Sequence, residues 1–149
     1  MTLREIKNVL ISRIYDFKAE FYDIDSMGVM WHGNYVKCVE VARCRFLDEV
    51  GFDYNAMRKN GFAMPIIKME FKFISPILFN DRFAIRVDLL DFDSVLKFQY
   101  IFLDSCGKKL TIAQTSQVAF DMEIKESLYE IPQNFKAKLQ DFCKKCSEI

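Results

Sequence analysis

The sequence predicts an α+β domain in which an antiparallel β-sheet wraps around one long helix, and three observations lead there. Tyr35, Val39, Ala42, Phe46 and Val50 recur at three- and four-residue steps, which puts one apolar face along a single long helix. The segments that follow alternate apolar and polar residues, the period of a half-buried strand. Short polar turns join those segments, as antiparallel neighbours require. No internal repeat, low-complexity tract or linker interrupts the 149 residues, so one domain spanning 1–149 is expected.

The first strand is expected where Tyr15, Phe17, Ala19 and Phe21 alternate with Asp16, Lys18 and Glu20. It delivers Asp23 and Asp25 to a turn in which Gly28 and Gly33 permit tight bending. In the long helix that follows, Lys37, Glu40, Arg43, Arg45, Asp48 and Glu49 fall mainly off the apolar face, and Gly51 ends the helix. A short helical piece over 54–59, placed to cover a pocket, closes at Asn60-Gly61. From Pro65 the alternation resumes, with Ile67, Met69, Phe71 and Phe73 on one side and Lys68, Glu70 and Lys72 on the other. Ser75-Pro76 breaks this second strand. A third carries Phe83, Ile85, Val87 and Leu89 and turns at 91–94. Leu96, Phe98, Tyr100 and Phe102 form the fourth, which leads through Asp104-Ser105-Cys106-Gly107 into a last long strand from about 109 to 121. Pro132 precedes a final helix whose apolar stripe is Phe135, Leu139, Phe142 and Cys143.

Lysine plus arginine (21) balances aspartate plus glutamate (21), so no overall field favours nucleic acid or an anionic membrane. An apolar share of 51% with 15 phenylalanines fits a large core together with a buried oligomer interface. Charged residues interrupt every apolar run before the ~20 residues of a membrane span. No small-residue cleavage site follows Val9-Leu10-Ile11. Five scattered cysteines argue against a disulfide framework and for a reducing, cytoplasmic compartment. Cys143-Lys-Lys-Cys146 lacks the second pair or nearby histidine of a tetrahedral metal site, and nothing has phosphate-loop or Ca²⁺-loop spacing, so no metal and no cofactor are expected.

The chemically informative stretch is 21–35, where a strand ends, a turn carries two acids and a helix begins. A helix start presents unpaired N–H groups and the positive end of a dipole, so a carbonyl oxygen placed there is polarised. An acid beside it suggests acyl chemistry, although an ordinary strand–turn–helix junction with solvated acids has the same spacing. Tyr22-Asp23-Ile24-Asp25-Ser26-Met27-Gly28-Val29-Met30-Trp31-His32-Gly33-Asn34-Tyr35 resembles the signature of the 4-hydroxybenzoyl-CoA thioesterase family. In particular it is similar to the small bacterial acyl-CoA thioesterases associated with the Tol-Pal envelope system, which carry an acid-x-acid turn, a glycine, an aromatic-His pair and Asn-Tyr. The similarity continues through Met64-Pro65-Ile66-Ile67 and Asn80-Asp81-Arg82-Phe83 to about Asp121, and is loose beyond. The resemblance implies a hotdog fold, hydrolysis of an acyl thioester, and homodimers or homotetramers with the acyl pocket between subunits.

Carried over residue by residue, the resemblance makes Asp25 the catalytic carboxylate, either a nucleophile that forms a mixed anhydride or a general base for water. Asp23 is assigned a structural role. His32 is the only histidine and no G-x-S-x-G elbow is present. The family role at its position belongs to the backbone N–H, which donates to the thioester oxygen. Gly33, Asn34 and Tyr35 belong to the implied substrate-binding turn, the last two either bracing it or simply beginning the helix. Met64 is a candidate substrate-binding residue, and how it packs with Phe46 and Phe71 would set the depth of an acyl pocket, which the sequence leaves open. Ser94 stands where the 4-hydroxybenzoyl-CoA enzyme has a serine preceded by basic residues, so the resemblance implies a substrate-binding contact from Ser94 to the nucleotide, but Phe92-Asp93-Ser94 lacks the basic residues. Any cations for coenzyme A must come from elsewhere, Lys72, Lys97 and Lys108 being the candidates. An acyl carrier protein thioester as substrate, and a non-catalytic hotdog interaction module, are the competing readings. A dehydratase would need a histidine-rich helix entrance that is missing.

Overall fold

The computed structural model describes residues 3–147. At its centre lies α1 (His32–Val50). Around it bends an antiparallel sheet of β1 (Ile11–Lys18), β3 (Ile66–Phe73), β4 (Arg82–Phe92), β5 (Leu96–Leu103) and β6 (Lys109–Gln117), in the order β1-β4-β5-β6-β3. The helix face foreseen from periodicity is the buried one: Tyr35, Val39, Ala42, Phe46 and Val50 join Phe83, Ile85, Val87 and Leu89 of β4 and Phe98, Tyr100 and Phe102 of β5 in one core. Phe46 meets Phe98 edge to face at 5.1 Å. Each fully buried Val, Leu, Ile or Phe among them contributes about 1.5–3 kcal/mol, so packing rather than intrinsic propensity holds α1. This helix wrapped in an antiparallel sheet is the hotdog arrangement.

At its far end α1 stops at Gly51, whose φ of 84° lies in the left-handed region and whose N–H returns to the Leu47 carbonyl at 3.1 Å. Next come α2 (Tyr54–Lys59), capped by the Asp53 carboxylate on the Ala56 N–H at 2.8 Å, and β2 (Phe62–Ala63). A small second sheet joins β2 to β7 (Phe120–Asp121) and β8 (Glu126–Ser127). The last helix, α3 (Gln133–Ser147), stacks Phe135 on Phe52 at 5.0 Å and sets Phe142 against Phe46 at 5.4 Å.

Four features depart from the periodicity. β1 ends at Lys18, and Phe21, expected on the core face, is 80% exposed in a 3₁₀ turn (Phe21–Asp23). The Asp23 carboxylate takes the Glu20 N–H at 2.9 Å and so pulls the chain out of the sheet. Ile67 is exposed because a bulge between Ile66 and Lys68 shifts it out of alternation. The last long strand divides: β6 stops at Gln117, and residues 120–121 leave the main sheet to pair with β2. Arg43, expected off the apolar face, is 1% exposed. Its guanidinium donates to the hydroxyls of Tyr54 (2.7 Å) and Tyr100 (3.2 Å) and pairs with Glu40, so the buried charge is met on every side.

Residues 4–10 cross the outer face of the sheet. Gln114 Nε2 donates to the Arg4 carbonyl at 3.4 Å, the Gln99 amide exchanges bonds of 2.7 and 2.9 Å with the Ile6 backbone, and the Leu10 N–H reaches the Leu89 carbonyl at 2.8 Å. Glu5 anchors this strap. Burial alone would raise its pKa, but hydrogen bonds from Lys109, Arg86 and Lys7 outweigh it and hold the carboxyl down at about 2. A carboxylate whose folded pKa is depressed stabilises in full above its ordinary value of 4.5, and that contribution is lost as pH falls to about 2. Glu5→Gln is therefore expected to lower Tm at neutral pH and to narrow its gap to wild type through that window. Melts across the acid range check this, and a gap constant with pH would contradict it.

Candidate active site

Asp25 owes its position to a tight turn. Its N–H donates to the Val29 carbonyl (2.9 Å), its own carbonyl accepts the Gly28 N–H (3.0 Å), and Gly28 closes the turn at φ 81°, where a side chain would be strained. One carboxylate oxygen, Oδ1, accepts the Met27 N–H at 2.8 Å, which fixes the side chain as an Asx turn. Oδ2 has no hydrogen-bond partner among the described residues. The turn is tied to the β3–β4 connection through the Met30 N–H on the Ile77 carbonyl (2.7 Å) and a bridge between Val29 and Leu78. Asp23 holds the other side. Its carbonyl accepts both the Trp31 N–H (3.0 Å) and Asn34 Nδ2 (2.9 Å).

His32 is the first residue of α1. The backbone N–H groups of His32 and Gly33 have no acceptor among the described residues, as the geometry of a first helical turn dictates. The imidazole is exposed, 5.2 Å from the Trp31 ring. A Cβ at Gly33 would come within 2.3 Å of the half-exposed Trp31 indole, which lies across this glycine and would have to move aside.

A cavity of about 370 Å³ opens at this helix entrance, and Asp25, His32 and Tyr35 all line it. Phe73, Ser75 and Pro76 form its opposite side. Tyr35 is buried, edge to face with Phe73 at 4.9 Å, and burial pushes its hydroxyl pKa up, so it stays a neutral phenol. The remaining sequence-assigned residues lie elsewhere within one copy of the chain. Asn34 braces the turn rather than lining the cavity. Met64 is 4% exposed, and its carbonyl accepts Gln117 Nε2 at 2.6 Å. Ser94 sits exposed in the β4–β5 turn, separated from the Asp25 end of the sheet by the length of β4, roughly 30 Å. Lys72, Lys97 and Lys108 do not line the cavity. Phe73, Ser75 and Pro76 went unassigned, since Ser75-Pro76 reads in sequence only as the end of a strand. Among the described residues no three His, Cys, Asp or Glu side chains are grouped as metal ligands. No helix there is long and apolar enough to cross a membrane.

Chemically, the cavity joins Asp25, one of whose carboxylate oxygens has no protein partner among the described residues, to His32, whose N–H has no acceptor among them and stands at the positive end of a 19-residue helix. A carbonyl between them would have its oxygen polarised while its carbon faced the carboxylate.

The thioesterase-like superfamily matches residues 19–139. The 1,4-dihydroxy-2-naphthoyl-CoA hydrolase of Thermosynechococcus vestitus is 26% identical over 112 residues, covering 74% of this chain and 77% of that protein. A chloroplastic acyl-acyl carrier protein thioesterase of Arabidopsis thaliana, ATL3, is 21% identical over 127 residues, covering 85% and 67%. Among solved structures, a DHNA-CoA thioesterase from Staphylococcus aureus superposes with a TM-score of 0.79 at 20% identity, covering 91% of each chain, and so shares the fold.

Proposed function

The chain belongs to the thioesterase-like superfamily, and from that premise we propose that it is a homo-oligomeric acyl-CoA thioesterase acting in the cytoplasm. The finer resemblance to 4-hydroxybenzoyl-CoA thioesterases is part of the same proposal. The observation that carries it is the meeting of Asp25, His32 and Tyr35 at one cavity, with an Asp25 oxygen and the His32 N–H both unpartnered among the described residues. The thioester oxygen accepts the His32 N–H, and Asp25 works on the carbonyl carbon. As nucleophile, its oxygen bonds to that carbon and the thiolate leaves, and water then cleaves the mixed anhydride. As general base, it takes a proton from the water that attacks. Either route yields a carboxylic acid and free thiol.

Release of free thiol from a panel of acyl-CoAs, aliphatic and aromatic, tests the reading. Inactivity across the panel would favour a non-catalytic interaction module, and turnover only of acyl carrier protein thioesters would replace the substrate.

An open sheet edge supports the oligomer. Among the described residues β3 pairs only with β6, so its other edge keeps unpaired backbone groups for a second copy, and the strand also exposes the apolar side chains of Ile67 and Phe73. Light scattering is expected to give a dimer or tetramer at micromolar concentration, and Ile67→Glu to split it with loss of turnover. A wild-type monomer with full activity would remove the shared pocket.

A further inference from the structure

On the opposite flank of the α1 entrance lies a second cavity, of about 410 Å³, between the helix, the end of β1 and the 3₁₀ turn. Four cations from three elements line it: Lys18 of β1, Arg82 of β4, and Lys37 and Arg45 of α1. Among the described residues none of the four is in a salt bridge. Lys18 and Arg82 are moreover direct cross-strand partners, and like charges set opposite each other on paired strands are destabilising. An anion bound between them would relieve that repulsion. The acids nearby do not: the Asp23 carboxylate is engaged by the Glu20 N–H, and Asp16 and Glu20 form no ion pair with any of the four.

Two of the cations are already positioned. The Arg45 guanidinium lies over the Phe17 ring at 4.7 Å and donates to the Asp16 carbonyl at 3.2 Å. Lys37 Nζ stands 5.8 Å from the centre of the Tyr22 ring. Tyr22 also lines the cavity and is 73% exposed, which leaves aromatic surface beside the charges. Clustered Lys and Arg side chains suit phosphate, and an exposed aromatic face suits a stacked base. Asp23 borders this cavity and Asp25 the catalytic one, so two residues of chain, at most about 7 Å, separate their walls.

Resting on the thioesterase reading, we propose that this cavity takes the phosphorylated adenosine end of coenzyme A. Lys18, Lys37, Arg45 and Arg82 meet its phosphates and Tyr22 its base, while the pantetheine arm passes over residues 22–25 to the carboxylate. These cations stand in for the basic residues missing before Ser94.

Calorimetric titration with adenosine 3′,5′-bisphosphate tests the site without any acyl chemistry. Wild type is expected to bind, more weakly as salt is added, and Lys37→Glu/Arg82→Glu to lose affinity by roughly tenfold or more. The neutral pair Lys37→Gln/Arg82→Gln should lose affinity in the same direction, which guards against a charge-reversal variant that fails to fold. In kinetics, the ratio of kcat/KM for an acyl-CoA to that for the same acyl group on N-acetylcysteamine should fall by a similar factor, through KM. No bisphosphate binding by wild type, or a ratio unchanged in both variants, would overturn the proposal. Failure to hydrolyse either thioester would instead remove the thioesterase reading, and the bisphosphate titration would still decide what the cavity holds.

Discussion

Asn in place of Asp25 is expected to abolish thioester hydrolysis in a protein that still folds and assembles. The amide is nearly the size of the carboxylate and keeps an oxygen for the Met27 N–H, so the Asx turn that shapes the loop survives. It can neither form an anhydride nor hold a proton at neutral pH, and turnover should fall by about 10²–10⁴. Asp23→Asn is the internal control. The Asp23 carbonyl that accepts Trp31 and Asn34 is backbone and is retained, and the amide oxygen can still take the Glu20 N–H. A modest loss there beside a large one at Asp25 supports the assignment. Equal losses, or near-normal turnover in Asp25→Asn, would move the chemistry elsewhere.

His32 separates backbone from side chain. His32→Tyr keeps the N–H and removes the imidazole, and since the ring is exposed the larger side chain has room, so most activity is expected to remain. His32→Pro removes the donor. Proline is tolerated in a first helical turn, where the N–H has no intrahelical partner, so the helix should form. Losing an oxyanion donor costs about 10²–10³ in turnover. Thermal melts must accompany the kinetics, because an unfolded Pro variant would be inactive for the wrong reason. A folded, oligomeric His32→Tyr as inactive as Asp25→Asn would make the imidazole catalytic and displace the backbone assignment.

Much of the fold was legible because its signals are local. The apolar stripe of α1, its glycine stop and the alternation in β4 and β5 each depend on residues a few positions apart, and each element lies close to where its period put it. The departures arise where a contact across the chain outweighs that period. The Asp23 carboxylate ends β1 early, and the bulge beside Lys68 turns Ile67 outward. Three hydroxyl- or carboxylate-bearing partners, Tyr54, Tyr100 and Glu40, turn a charge expected near the surface into a core residue at Arg43.

By itself the sequence determined the α+β class, the junction at which a helix start follows two acids, and the residues of that junction. Short-range spacing suffices for each. Only the tertiary structure decided which groups share a cavity. Asp25 meets Phe73 and Pro76 because the turn is tied across space to the β3–β4 connection, and Lys18 faces Arg82 because of strand register. Met64 and Ser94, both expected to bind substrate, lie away from the Asp25 cavity of their own chain. Pairing and packing between distant segments set those neighbours, and no local pattern encodes them.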